Sequence, residues 1–147
     1  MALLLALTAV HLAIGYQADA TTSSSELFQR ARTAYTQGDS ATALTLMEKV
    51  VSAEPKNGDA LGWLGFLFLK AGDATKAVPI LERAIALKPG SADVTINLAN
   101  ALQGLPTKSA AQQTRIQQLF EQAVKLNPSA SEAYTGLGFA AYRQGDY

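Results

Sequence analysis

The sequence predicts an all-α protein, an α-solenoid of about three and a half stacked helix–turn–helix repeats. Three observations lead to this fold class. Landmark residues recur every 34 residues, apolar residues fall three and four positions apart between them, and a proline follows each pair of amphipathic segments. Repeats of this kind stack because each unit buries its apolar face only against its neighbours.

The prolines define one register along the chain. Pro55 and Pro89 lie 34 residues apart, and Pro128 follows Pro89 by 39, so the third unit contains a five-residue insertion. Proline is suited to this position because it lacks an N–H group and cannot continue a helix. The predicted units are residues 24–57, 58–91, 92–130 and a partial unit at 131–147.

Short polar segments divide each unit into two helices. Gly38 and Gly72 are expected to end the first helix in a left-handed turn, which glycine adopts without steric cost. Asp39 and Asp73 follow directly and can cap the second helix by accepting backbone N–H bonds. The predicted helices cover residues 24–36, 40–53, 58–71, 74–87, 92–103, 109–126 and 131–144.

Two positions depart from the simple repeat. Pro79 falls inside the fourth helix, close to its first turn, and is expected to bend that helix rather than end it. The segment from Gly104 to Ser109 contains the inserted residues and is expected to lengthen the turn within the third unit. Such a turn is either a tolerated surface loop or a contact with a partner.

Composition excludes several functional classes. Of the 147 residues 48% are apolar, which is enough to build a core and argues against disorder. The chain contains 12 basic and 12 acidic residues. Because this balance provides no electrostatic attraction to nucleic acid or to an anionic membrane surface, no nucleic-acid partner is predicted.

The residues available for catalysis are few. The chain has no cysteine, and its one histidine is His11, which lies in a leader expected to be removed. The mature chain would then have no thiolate. It would also have no histidine, which is the commonest general base and the commonest zinc ligand. Acidic residues such as Glu48 and Glu82 are spread one or two per helix, and no glycine-rich phosphate loop is present. The sequence therefore predicts no catalytic residue, no cofactor, no metal site and no enzymatic activity.

The chain resembles the tetratricopeptide repeat family, over about residues 24–147. That family has a 34-residue pattern containing Leu-Gly, an aromatic residue, small residues and a closing proline. The resemblance implies a right-handed solenoid whose first helices line a concave groove that holds an extended peptide or a helix of a partner. The second unit matches the pattern at Leu61, Leu64, Gly65, Phe68, Ala77, Leu81, Ala84 and Pro89.

The resemblance also places a set of candidate residues on the wall of the groove, beside the Leu-Gly packing line. Aromatic and arginine side chains are suited to anchor an interface, and Asn and Gln offer both a donor and an acceptor to a peptide backbone. Phe66 and Trp63 fit the core equally well, and Asn97 and Asn100 also fit a solvated face. The candidates are Arg32, Tyr35, Phe66, Lys70, Asn97, Asn100, Gln103, Phe139, Tyr142 and Arg143.

The predicted function is a protein–protein interaction scaffold that binds a peptide or helix of a partner protein. Some tetratricopeptide repeat proteins clamp the carboxylate of chaperone tails with paired Lys and Asn residues. The matching positions here are Phe28, Arg32, Gly62 and Phe66, so binding of such tails is not predicted. Two alternatives stay open: the repeat portion of a larger envelope protein for polysaccharide export or outer-membrane assembly, and a cytosolic adaptor.

Residues 1–20 are a predicted signal peptide. The run from Ala2 to Ile14 is almost entirely apolar and has 13 residues, whereas spanning a bilayer takes roughly 20. Ala18 to Ala20 match the small-x-small pattern of a cleavage site, although no Lys or Arg precedes the apolar run. We therefore expect an exported, periplasmic protein whose mature part, residues 21–147, has no membrane span. The alternative is an extra apolar helix that packs on the repeats.

The fourth unit contains only its first helix in this sequence. That helix carries Leu137, Phe139 and Tyr142 and few charges, whereas a terminal repeat needs a polar outer face. Two expectations follow. Either the sequence is a piece of a longer array, or self-association of the chain covers this edge.

Overall fold

The computed structural model describes residues 22–106 and 109–144, and within them the regular elements are seven helices. The predicted all-α solenoid is therefore confirmed. Four predicted helices have the observed bounds, and the other three differ by one residue at one end. The predicted signal peptide lies outside the described residues. The helices are α1 (Ser24–Thr36), α2 (Ser40–Ala53), α3 (Gly58–Lys70), α4 (Ala74–Leu87), α5 (Ala92–Gly104), α6 (Ala110–Leu126) and α7 (Ser131–Gln144).

The helices pack in the order in which they follow one another. The most extensive contacts join the two helices of one repeat, α1 with α2, α3 with α4 and α5 with α6. Each second helix also packs on the first helix of the next repeat, and the first helices touch each other where α3 meets α5 and α5 meets α7. The first helices of the repeats therefore lie side by side.

The turns between paired helices have the predicted local structure. Gly38 and Gly72 adopt φ angles of 85° and 79°, which lie in the left-handed region that glycine occupies without strain. Asp39 and Asp73 cap the following helices, since each Oδ1 accepts the backbone N–H three residues further on at 3.0 Å. Hydrogen bonds from that third residue lower the pKa of both carboxyl groups below its ordinary value.

The prolines act as predicted at the ends of the second helices. α2 ends at Ala53, two residues before Pro55, and α4 and α6 end at the same distance from Pro89 and Pro128. Pro79 lies within α4, which continues to Leu87. An internal proline is tolerated there because the rest of the helix keeps its own backbone bonds and its packing on α3.

The five extra residues of the third repeat do not all lengthen the turn. The turn between α5 and α6 has five residues, whereas the corresponding turns before α2 and α4 have three. Two of the five extra residues therefore lengthen this turn. The other three extend α6, which has 17 residues, whereas α2 and α4 have 14 each. A capping box fixes the start of α6: Ser109 Oγ accepts the Gln112 N–H at 3.3 Å, and Gln112 Oε1 accepts the Ser109 N–H at 2.9 Å.

Close approach of helices explains two of the glycines. A Cβ on Gly65 would lie 2.4 Å from Cγ of Leu81, a fully buried side chain, so α3 and α4 could not pack as they do with a larger residue. Gly136 is a second tight position, because its Cβ would lie 2.4 Å from the ring of Phe120 on α6.

Candidate functional site

A groove of about 390 Å³ opens on the side of the array formed by the first helices. Its lining includes Tyr35 from α1, Trp63 and Phe66 from α3, Asn97 from α5 and Glu132 from α7. In the part of the chain that the structure describes, the second helices contribute none of this lining. The groove therefore lies on the surface that the family resemblance predicted.

Aromatic side chains form one end of the groove. Trp63 is at the centre of this aromatic cluster, with ring centroids 6.2 Å from Phe28, 6.0 Å from Tyr35 and 5.6 Å from Phe66. The rings meet edge to face, with planes between 71° and 83° apart, which is a geometry that ring quadrupoles favour. All four rings are half-buried. They hold α1 against α3 and still expose apolar surface to the groove.

Two cationic side chains lie over these rings. The guanidinium carbon of Arg32 is 5.6 Å from the centroid of Trp63, and Nζ of Lys70 is 5.4 Å from the centroid of Phe66. Attraction of this kind is worth about 0.5–1 kcal/mol at exposed sites. Both cations therefore flank the aromatic cluster and are held by it.

Carboxylates form the other end of the groove. Asp93 and Glu132 lie in the first turns of α5 and α7, and Glu132 Oε1 accepts a hydrogen bond from Asn100 Nδ2 at 2.8 Å. Asp59, in the first turn of α3, pairs with Lys88. Among the described residues no Lys or Arg forms an ion pair with Asp93 or Glu132. Within residues 22–106 and 109–144 this negative charge therefore has no cationic partner.

The structure brings three of the ten predicted residues together in the lining of the groove, namely Tyr35, Phe66 and Asn97. Phe66 is both a packing residue and a groove residue, because one face contacts the aromatic cluster and its side chain is only half-buried. Whether any of these side chains contacts a partner stays a prediction. Four other predicted residues lie on the same helices outside the lining: Arg32, Lys70, Asn100 and Gln103.

The three predicted residues of α7 do not line the groove. Phe139 and Tyr142 are 49% and 70% exposed, and the Arg143 guanidinium carbon lies 5.8 Å from the Phe139 ring. The part of α7 that reaches the groove is its first turn, through Glu132, because these three residues lie two to three turns further along the helix. Partner contact and self-association through this exposed helix stay predictions.

Sequence reasoning missed the carboxylates of the groove, because acidic residues on a helix usually belong to a solvated face. The repeat spacing nevertheless contained a signal that these acidic residues share one surface. Asp59, Asp93 and Glu132 are separated by 34 and 39 residues, so each is the second residue of the first helix in its repeat. Residues at one register position of a solenoid lie in a row along one surface.

Other features of the described residues point to no further chemistry. No group of three or more His, Cys, Asp or Glu side chains in residues 22–106 and 109–144 could hold a metal ion. None of the helices in these ranges has both the length and the apolar character needed to cross a membrane. Thr95 is fully buried, and its hydroxyl donates to the Ser91 carbonyl at 2.8 Å.

Comparison with known sequences agrees with this architecture. The sequence profile of the tetratricopeptide repeat family matches residues 28–92 and 117–147. Cellulose synthase operon protein C of Escherichia coli strain K12 is 33% identical over an alignment of 104 residues that covers 65% of this chain and 9% of that protein. The chain therefore spans only a small fraction of the length of this relative.

Solved structures share the same helical arrangement. MamA from Desulfovibrio magneticus RS-1 superimposes with a TM-score of 0.75 at 26% identity, covering 86% of this chain and 68% of that one. The first tetratricopeptide repeat domain of Spaghetti, bound to an HSP90 peptide, gives a TM-score of 0.75 at 16% identity and covers 83% of this chain and 93% of that one. The second likeness concerns the fold alone.

Proposed function

The chain belongs to the tetratricopeptide repeat family, and from this premise we propose that it is a protein–protein interaction scaffold whose groove holds a peptide or helix of a partner protein. One observation carries the proposal: the first helices of successive repeats place an aromatic wall and the amide of Asn97 in one open cavity. Aromatic side chains give buried anchors at interfaces, and an amide can both donate to and accept from a peptide backbone. The Spaghetti domain holds a peptide on the same architecture.

The size of the groove fits a short segment. Four first helices contribute to its lining, and packed helices lie roughly 8–10 Å apart. An extended chain advances about 3.3–3.6 Å per residue, so a segment that crosses all four first helices has roughly eight residues.

Photo-crosslinking tests the proposal. With benzoylphenylalanine in place of Asn97, which lies in the groove, exposure to light in an extract of the source cells is expected to attach a discrete partner protein. The same amino acid at Glu48, an exposed residue of the second helix α2, serves as the matched control. Peptide mapping of the adduct then identifies the bound segment.

The pattern of labelling at the two positions either supports or contradicts binding in the groove. If the groove holds the partner, the adduct forms at Asn97, is absent at Glu48, and disappears when an excess of unlabelled chain is added. Equal labelling at both positions, or a product at Glu48 alone, would place the interaction on another surface. Far-ultraviolet circular dichroism of both labelled proteins establishes that the helices are intact.

A second candidate function concerns the whole protein. We infer that the chain is the repeat portion of a larger envelope protein that assists polysaccharide export. The similarity to cellulose synthase operon protein C supports this candidate. In such a protein the groove would hold another component of the export machinery.

Location in the cell is the simplest test of this second candidate. N-terminal sequencing of the protein purified from the periplasm of its source cells is expected to give a chain that begins at Thr21, directly after Ala20. A protein that retains Met1 and fractionates with the cytosol would contradict export and favour the cytosolic adaptor. The groove proposal would be unaffected by either result, because it depends on the fold alone.

A further inference from the structure

The two ends of the groove differ in chemistry. The end formed by α1 and α3 presents the rings of Tyr35, Trp63 and Phe66, whereas the end formed by α5 and α7 presents the carboxylates of Asp93 and Glu132. Within the described residues, no Lys or Arg belongs to the lining of the groove. A segment that lies along the groove therefore meets apolar surface first and negative charge next.

The nearby cations of the chain already have partners among the residues that line the groove. Arg32 and Lys70 lie over aromatic rings, and Lys88 pairs with the third carboxylate of the groove, Asp59. The two remaining carboxylates have no cation from the chain itself, as far as the structure describes it. Their field attracts a cationic segment and repels an anionic one.

Helix geometry explains only part of this arrangement. Asp93 and Glu132 are the second residues of their helices, where the helix dipole favours a negative charge. The dipole accounts for an acidic residue at a helix start, but it does not direct that residue into a cavity shared with an aromatic wall. Stacking of the repeats does so, because it aligns the starts of α5 and α7 along the groove.

We propose that the groove binds an extended segment of the partner protein that combines an apolar anchor with two basic residues. The apolar side chain packs on Trp63 and Phe66, and the two basic side chains pair with Asp93 and Glu132. This inference rests on the proposed function and adds the chemical class of the segment. Because the carboxylates of Asp93 and Glu132 make this end of the groove negative, the proposed ligand is basic, whereas a chaperone tail is acidic.

Spacing makes the proposal more specific. Neighbouring first helices lie roughly 8–10 Å apart, and an extended segment in the polyproline II conformation advances about 3.1 Å per residue with every third side chain on one face, so the two basic residues are about three positions apart. A helical segment rises only about 1.5 Å per residue and would need basic residues about seven apart, two turns along one face. The sequence of a bound segment therefore distinguishes an extended ligand from a helical one.

Selection from a phage-displayed library of random dodecapeptides on the full chain tests this inference. The enriched peptides are expected to contain an apolar or aromatic residue and two Lys or Arg residues about three positions apart. Calorimetry with one synthetic enriched peptide then compares the unmodified chain with Asp93→Asn and Glu132→Gln. Each substitution is expected to raise Kd about 1.5- to 5-fold, as for a partly exposed ion pair, and the difference should shrink at high salt.

The matched control is Glu48→Gln, which makes the same change of charge on α2 outside the groove and should leave Kd unchanged. Thermal unfolding of each variant separates a loss of binding from a loss of folded protein. Groove-dependent enrichment of neutral or acidic peptides would overturn the charge inference and leave the proposed function intact. If the enriched peptides bind equally well after the aromatic cluster is disrupted, the groove is not their binding site. That result would overturn the proposed function as well.

Discussion

Replacing Trp63 with alanine is expected to weaken binding of a groove-dependent peptide by about 30-fold or more. Trp63 contacts Phe28, Tyr35 and Phe66 and supplies apolar surface to the groove. Truncating a central aromatic anchor typically costs about 2 kcal/mol or more of binding free energy, which corresponds to that factor. Isothermal titration of a library-selected peptide measures the change in Kd. Because Trp63 is the one tryptophan of the chain, its fluorescence should also shift when the unmodified protein binds.

Two further variants show whether the loss is specific. Trp63→Phe keeps an aromatic ring at the centre of the cluster and should lose less affinity than Trp63→Ala. Tyr134→Ala removes an aromatic side chain that is 50% exposed on α7 and outside the lining, so its Kd should not change. An unchanged Kd for a folded Trp63→Ala protein would show that the aromatic wall is only a packing element.

Replacing Phe120 with alanine is expected to lower the free energy of unfolding by about 3–5 kcal/mol, the usual range for a fully buried phenylalanine. Phe120 is fully buried on α6, and its ring fills the space left by Gly136 on α7. The substitution therefore opens a cavity where the third and fourth repeats meet. Urea denaturation followed by circular dichroism measures the effect, which is large against the 5–15 kcal/mol of a typical domain.

A double-mutant cycle tests the same contact from the other side. Gly136→Ala alone should destabilise the protein by about 1–3 kcal/mol, because its Cβ would press on the Phe120 ring. In the Phe120→Ala background most of that cost should disappear, since the methyl group then enters the vacated space. Strictly additive effects would mean that α7 shifts away from α6 and that the two residues do not determine the packing there.

Local sequence patterns were sufficient to predict the helices. The Gly-Asp pairs and the prolines each act through a few neighbouring backbone groups, so their effects are the same in every repeat. Gly38 and Gly72 have the expected positive φ, and Asp39 and Asp73 cap the expected helices. The inserted residues were harder to assign, because a polar and alanine-rich stretch can extend a helix as readily as it can lengthen a turn.

The groove was predictable only in part. The family resemblance placed Tyr35, Phe66 and Asn97 on the first helices of three repeats, and the structure brings these side chains into one cavity. Register did not reveal that the Asn100 amide bonds to Glu132, because that contact joins different repeats. Such contacts depend on how far one repeat is shifted and rotated against the next, and no short window of sequence contains that information.

The sequence by itself determined that this protein is a stack of paired helices and, to within one residue, where each helix begins and ends. These properties follow from periodicity, capping and the exclusion of proline, all of which act over a few residues. Only the tertiary structure decided that Trp63 joins two repeats, that Gly136 admits a buried ring, and that Asp93 and Glu132 give the groove an acidic end. The physical reason is that packing and charge in a solenoid are properties of the space between repeats, which forms only when the repeats stack.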